Sequence, residues 1–125
     1  MAEKYMIEVT KKQAAALQLA CEVGARIGMY QLHDVCNLLP WKTPGQREIY
    51  DEIYKELWAM YLKYTSRCID GRGRPEVSNT LWDLYQVIRH RLAWDAHPEG
   101  DNTSVMFDSP MRTGEDELPK IKAVE

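Results

Sequence analysis

At 125 residues the chain has the size of one domain and can bury a core without metals or disulfides. Its formal charge of -3 excludes general attraction to nucleic acid or anionic membrane, so no direct nucleic-acid binding is expected. No apolar run is long enough to span a bilayer and no signal-peptide pattern opens the chain, while the odd, scattered cysteines Cys21, Cys36 and Cys68 read as reduced thiols of a cytoplasmic protein.

In chain order, KYMIEVT alternates, with Tyr5, Ile7 and Val9 on one side and Lys4, Met6 and Glu8 on the other, which predicts a short strand. Thr10 followed by Gln13 is a capping-box spacing, so a helix should begin near Lys11. The helix reads KKQAAALQLACEVGARIG, rich in Ala and Leu; Gly24 and Gly28 permit a bend or close helix contact, with a break expected around Gly28. MYQLHDVCNLL then reads as a short second helix ended by Pro40. In WKTPGQRE, Thr43 suits the cap, Pro44 the first helical position and Gln46 the box. From there Ile49, Ile53, Leu57 and Tyr61 recur at helical spacing, with Tyr50, Tyr54 and Trp58 beside them, which predicts an amphipathic helix to about Tyr64.

RCIDGRGRP, with Gly71, Gly73 and Pro75, predicts a loop, and a last long helix is expected from Val77 to Asp95 with Leu81, Leu84, Tyr85, Ile88 and Leu92 on its core face. HPEGDN turns the chain. SVMFD, with Val105 and Phe107 on one side, can then form a strand that pairs with the N-terminal one. The architecture expected is mainly α: a small helical bundle of three long elements and one short one, with an accessory two-stranded β ribbon. A single domain over 1–112 carries the N-terminal strand, and 113–125 form a polar, partly acidic tail with Glu115, Asp116 and Glu117, mobile unless a neighbour holds it.

The most informative feature for function is the crowding of arginine. Five of the eight arginines, Arg67, Arg72, Arg74, Arg89 and Arg91, fall between residues 67 and 91, opposed there only by Asp70, Glu76 and Asp83. Guanidinium forks match phosphate and carboxylate, and the glycines of DGRGRP let backbone amides approach an anion before a helix N-terminus. An anion pocket follows from this, although a solvated loop whose arginines pair with local acids fits the same residues. The back of the last helix carries Asp83, Val87, His90 and Trp94, opposite the core face, with Trp82 to one side. Two apolar faces on one helix call for a second cover, either another part of the chain or a second copy in a homo-oligomer. Arg91 and Asp95, four apart, can simply pair.

Metal binding has little support, since the His33/Cys36 spacing and the Asp95/His97 pair near His90 lack a second ligand pair, and no metal or cofactor is expected. No nucleophile elbow or cysteine–base signature is present, and no helix-turn-helix carries a basic recognition helix.

The strings WDLYQVIRHRLAWD, HPEG, VMFDSPMRTG and ELPKI, together with the KKQAAAL helix leading into ARIGMYQLHDV, resemble small accessory proteins encoded by tailed phages and prophages. The resemblance covers most of the chain and brings no catalytic residue with it. It implies an accessory product acting in the host bacterial cytoplasm. In that setting the arginines imply a non-enzymatic protein that counteracts a defence system by sequestering a nucleotide-derived signalling molecule. Arg72, Arg74, Arg89, His90, Arg91 and Trp94 would form the pocket, joined by Arg112, with guanidinium on phosphate and a ring on the base. The first alternative is a protein-binding inhibitor of a host defence complex that uses the acidic faces at Asp51, Glu52, Glu56 and 115–117. The second is a metal-dependent phosphohydrolase built on His90, Asp95 and His97.

Overall fold

The computed structural model describes residues 3–42, 47–65, 67, 76–100, 110 and 112–124. Four helices follow in order: α1 (Lys11–Gly28), a short 3-10 helix (Leu32–Leu38), α2 (Arg47–Thr65) and α3 (Glu76–Ala96). The start of α1 is set by its cap. The Gln13 amide donates to Thr10 Oγ1 at 3.1 Å and the Thr10 amide to Gln13 Oε1 at 2.8 Å, so two amides without helical partners are satisfied reciprocally.

α1 ends at Gly28, but the left-handed residue that turns the chain is Tyr30, with φ of 64°. The Tyr30 amide donates to Ile27 O and the Gln31 amide to Arg26 O, both at 2.9 Å, the paired closure of a Schellman end. A tyrosine in this region costs about 1 kcal/mol more than a glycine. Packing offsets that cost, since the Tyr30 ring sits 4.6 Å from that of Tyr61 on α2.

α1 lies along α3, and the 3-10 helix bridges α1 to α2. The α1 side of the contact is made of small residues. Ala14, Cys21, Val23 and Ala25 are buried, and a side-chain methyl on Gly24 would lie 2.7 Å from Leu81 Cδ1. This absence of bulk brings α3 close enough for the buried Ser78 hydroxyl to donate to the Ala25 carbonyl at 2.6 Å, in the last turn of α1 where carbonyls lack helical partners. On α3, Tyr85, Val87, Ile88 and Ala93 are buried as well.

The mainly α architecture of three long helices and one short one is as expected, and one expectation is corrected. No strand exists among the described residues, so the expected two-stranded ribbon is not seen there. Residues 4–9 belong to no regular element, and Tyr5, Met6 and Ile7 are each at least 80% exposed, so among the described residues the alternating pattern buries no face and joins no ladder. Its expected partner, 104–108, lies outside the described residues. Within this framework α2 stands to one side of the α1–α3 pair. Its backbone approaches neither α1 nor α3, and none of its residues is buried. Tyr50, Ile53, Leu57 and Tyr61 are only half-buried, with Tyr50 against His33 of the 3-10 helix and Tyr61 against Tyr30. The predicted cap at Thr43, Pro44 and Gln46 lies outside the described residues. Among the described residues no helix is long and apolar enough to cross a membrane.

The seam between α1 and α3 is tested at Gly24. Gly24→Leu should force the helices apart and destabilise the protein by about 2 kcal/mol. Gly24→Ala, which meets only the tip of Leu81, should stay within about 1 kcal/mol of the parent, helped by its helix propensity. Urea unfolding of both variants measures this, and a Gly24→Leu protein as stable as the parent would contradict the close packing.

Candidate functional site

The arginines singled out from the sequence fall into separate environments. Arg72 and Arg74 lie outside the described residues. Arg91 pairs with Asp95 at 2.9 Å, four residues along α3, although its buried Nε has no hydrogen-bond partner among the described residues. Arg112 folds back on its own segment, donating through Nε to the Gly114 carbonyl at 3.0 Å and through a terminal nitrogen to the Glu115 carbonyl. Arg89, two residues before Arg91, points to the other side of α3, with its guanidinium 5.9 Å from the centre of the Tyr85 ring. His90 and Trp94 are half-buried, and Trp94 lies beside the turn at Gly100.

Arg89 belongs to a seam the sequence reading did not assemble. Glu22 and Arg26, four apart on α1, pair at 3.2 Å, and Arg26 Nη1 donates to Gln31 Oε1 at 2.9 Å. The same guanidinium lies 5.3 Å from the centre of the Trp82 ring, which sits 5.0 Å from that of Tyr85. Burial pushes the Tyr85 phenol above its ordinary value, and the neighbouring Glu22 carboxylate adds to this. The row Arg26–Trp82–Tyr85–Arg89 thus sets two adjacent aromatic rings between two guanidinium groups. One end is neutralised by Glu22, while Arg89 at the other has no ion-paired carboxylate among the described residues. The spacing of Glu22 and Arg26 was visible in the sequence; their juxtaposition with Trp82 depends on how α1 crosses α3.

A second group surrounds the 3-10 helix. Asp34 is buried, and Asn37 Nδ2 donates to its Oδ1 at 2.8 Å, while Asp34 Oδ2 and His33 Nδ1 are buried with no hydrogen-bond partner among the described residues. Burial holds the Asp34 carboxyl above the usual carboxylate range, with the Arg26 charge pulling the other way. Burial likewise raises the Cys36 thiol, and the Asp34 charge adds to the effect, so Cys36 is a protonated core residue and a poor nucleophile. His33 packs edge-on to Tyr54 at 4.9 Å and to Tyr50 at 5.9 Å. Among the described residues no three of His, Cys, Asp and Glu are placed to hold a metal ion, and the HxxC spacing here serves packing.

The back of α3 is covered in part by the chain itself. Asp83 is 4% exposed, and its two carboxylate oxygens accept the Thr113 amide at 2.6 Å and the Gly114 amide at 3.0 Å. Gly114 is needed for this approach, since a methyl there would sit 2.9 Å from Asp83 Oδ2. Read from the sequence as a counter-charge to arginine, Asp83 instead clamps the C-terminal segment onto α3. Beside it a shallow hollow of about 200 Å³ is lined by Thr80, Leu84, Gly114, Pro119 and the acids Asp83, Asp116 and Glu117. Its charge has the wrong sign for a phosphate. Glu117 also reaches Lys4 at 3.2 Å, drawing the N-terminal arm alongside the tail.

No protein-family model matches the chain, and no curated protein or solved structure matches it.

Two outcomes follow from these geometries. Asp83→Asn keeps one acceptor and sets an amide donor against a backbone donor, a loss of about 2 kcal/mol for the docked tail. Tryptic cleavage after Arg112 should therefore accelerate roughly tenfold or more, with Gly114→Ala acting alike; unchanged cleavage in both would contradict the clamp. For Asp34, a folded carboxyl titrating above its unfolded value makes the native state take up the proton first. Stability is therefore gained on acidification and lost as pH rises through the folded range. Asp34→Asn should gain about 1 kcal/mol at neutral pH and lose that advantage near about pH 4. Urea midpoints at both pH values decide it, and an equal effect at each would contradict the assignment.

Proposed function

We propose that this protein is a non-enzymatic binding protein that takes an anionic, nucleotide-type molecule, with Arg89 and the Tyr85 ring as the core of the receptor. The observation that carries the reading is the Arg89 guanidinium held over an aromatic ring, with no ion-paired carboxylate among the described residues. Such a group offers a forked donor to a phosphate without first breaking an internal ion pair. Arg91 and Arg112 already have partners in Asp95 and in the Gly114 and Glu115 carbonyls, which narrows the pocket expected from the sequence. Arg72 and Arg74, on the connector before α3, remain part of the proposal. The likeness to phage accessory proteins supplies the biological setting: sequestering a signalling nucleotide counteracts a bacterial defence that depends on it.

The protein-inhibitor reading rests on a different observation. Asp51, Glu52 and Glu56 are exposed on α2, in position to imitate the charge of a nucleic acid. The acidic tail adds less, because Glu117 is engaged by Lys4 and Lys120.

Calorimetric titration with a panel of linear and cyclic nucleotides tests the first reading. Binding at micromolar level is expected, weakened about tenfold or more in Arg89→Ala and unchanged in Arg112→Ala. No heat with any nucleotide, or binding indifferent to Arg89→Ala, would overturn it. A stoichiometric host protein retained without nucleotide would favour the inhibitor instead.

A further inference from the structure

α2 carries a partly exposed flank that mixes apolar and charged residues. Ile49, Ile53, Glu56, Met60 and Lys63 follow one another at alternating spacings of four and three, so they lie along one side of the helix. Ile53 is half-buried, but Ile49 is 43% and Met60 57% exposed. The helix leans on His33 of the 3-10 helix through Tyr50 and Tyr54 and on Tyr30 through Tyr61, and its backbone is near neither α1 nor α3.

The charges along α2 are not evenly mixed. Glu48, Asp51, Glu52 and Glu56 fall in its first half against Arg47 and Lys55. Beyond Glu56 the helix carries no acid, and Lys63 is followed by the exposed Arg67 just past its end. A helix that is acidic at its start and basic at its end complements itself only when the second copy runs in the opposite direction.

We propose that this flank is the contact with a second copy of the chain, the two α2 helices running antiparallel about a two-fold axis near Glu56. In that register Ile53 of one copy meets Met60 of the other, and Ile49 meets Tyr64. The bordering Glu52 approaches Lys63 of the second copy, and the two-fold repeats each of these contacts. The helix dipoles oppose one another as well. One unfavourable contact is built in, since Glu56 lies beside the axis and faces its own copy. The contact proposed is thus on α2, whereas Asp83 on the back of α3 is occupied by the chain's own Thr113 and Gly114 amides.

The test is sedimentation velocity of the whole chain over a wide concentration range. The parent should pass from monomer to dimer. Met60→Asp replaces an exposed residue and so should leave the helical circular dichroism intact while raising the dimer dissociation constant at least about tenfold. Glu56→Gln, which removes the like-charge contact at the axis, should tighten it. Glu52→Lys and Lys63→Glu should each weaken association and together restore it, a pattern that requires antiparallel self-pairing. A chain that stays monomeric at all concentrations leaves the flank to a foreign protein and overturns the proposal. A dimer indifferent to Met60→Asp overturns it too. Neither result bears on nucleotide binding at Arg89, which is read separately.

Discussion

The close approach of α1 to α3 is the constraint from which the rest of the molecule takes its shape. Gly24 presents no side chain, Ala14, Cys21 and Ala25 present small ones, and Leu81 fills the space this leaves. Only at this separation can Ser78 reach the Ala25 carbonyl. Small residues bury little area each, at about 25 cal/mol per Å² of apolar surface. The pair therefore relies on contact distance and on satisfied helix ends more than on bulk, and among the described residues the largest fully buried side chain is that of Cys36.

That crossing brings Glu22 and Arg26 of α1 against Trp82 and Tyr85 of α3 and leaves Arg89 at the open end of the row. It also leaves the opposite side of α3 to be covered by something else, and Asp83 meets that need by holding two backbone amides of the C-terminal segment. A carboxylate accepting amides fixes a loop without an arginine partner, and Gly114 is the residue that permits the approach. The helix that lies outside this arrangement is α2. Its tyrosines and Trp58 form a row of rings, Tyr54 beside Trp58 and Trp58 beside Tyr61, that leads from the 3-10 helix towards solvent.

Much of the helical framework is legible in the sequence because its signals are local. The Thr10–Gln13 box marks the start of α1, the spacing of Ile49, Ile53, Leu57 and Tyr61 marks α2, and α3 runs from Glu76 to Ala96, one residue beyond the expected span at each end. What the residues do not specify is what lies against what. The stripe on α2 announces an apolar face, and nothing in its periodicity says whether the cover comes from α1, α3 or elsewhere. The alternation of Tyr5, Ile7 and Val9 is likewise a pattern that needs a surface, and here Tyr5 and Ile7 stay exposed while Lys4 ties the arm to Glu117. The end of α1 depends on Tyr30 rather than Gly28, since ring packing on Tyr61 stabilises a conformation that composition alone would assign to glycine. For the candidate site, the arginines are visible as a crowd, but Arg89 and Arg91 diverge because they are two residues apart on a helix. The guanidinium over Trp82 comes from residue 26, which no local motif links to residue 82.

The central claim is that α1 and α3 form one cooperative unit while α2 stands apart from it. Native-state hydrogen exchange resolved by segment tests this most directly. In dilute protein the amides of α1 and α3 should exchange together and most slowly, through global unfolding, while those of α2 exchange faster through local opening. Protection of α2 equal to that of α1 and α3 in the monomer, or separate opening of α1 and α3, would contradict the account.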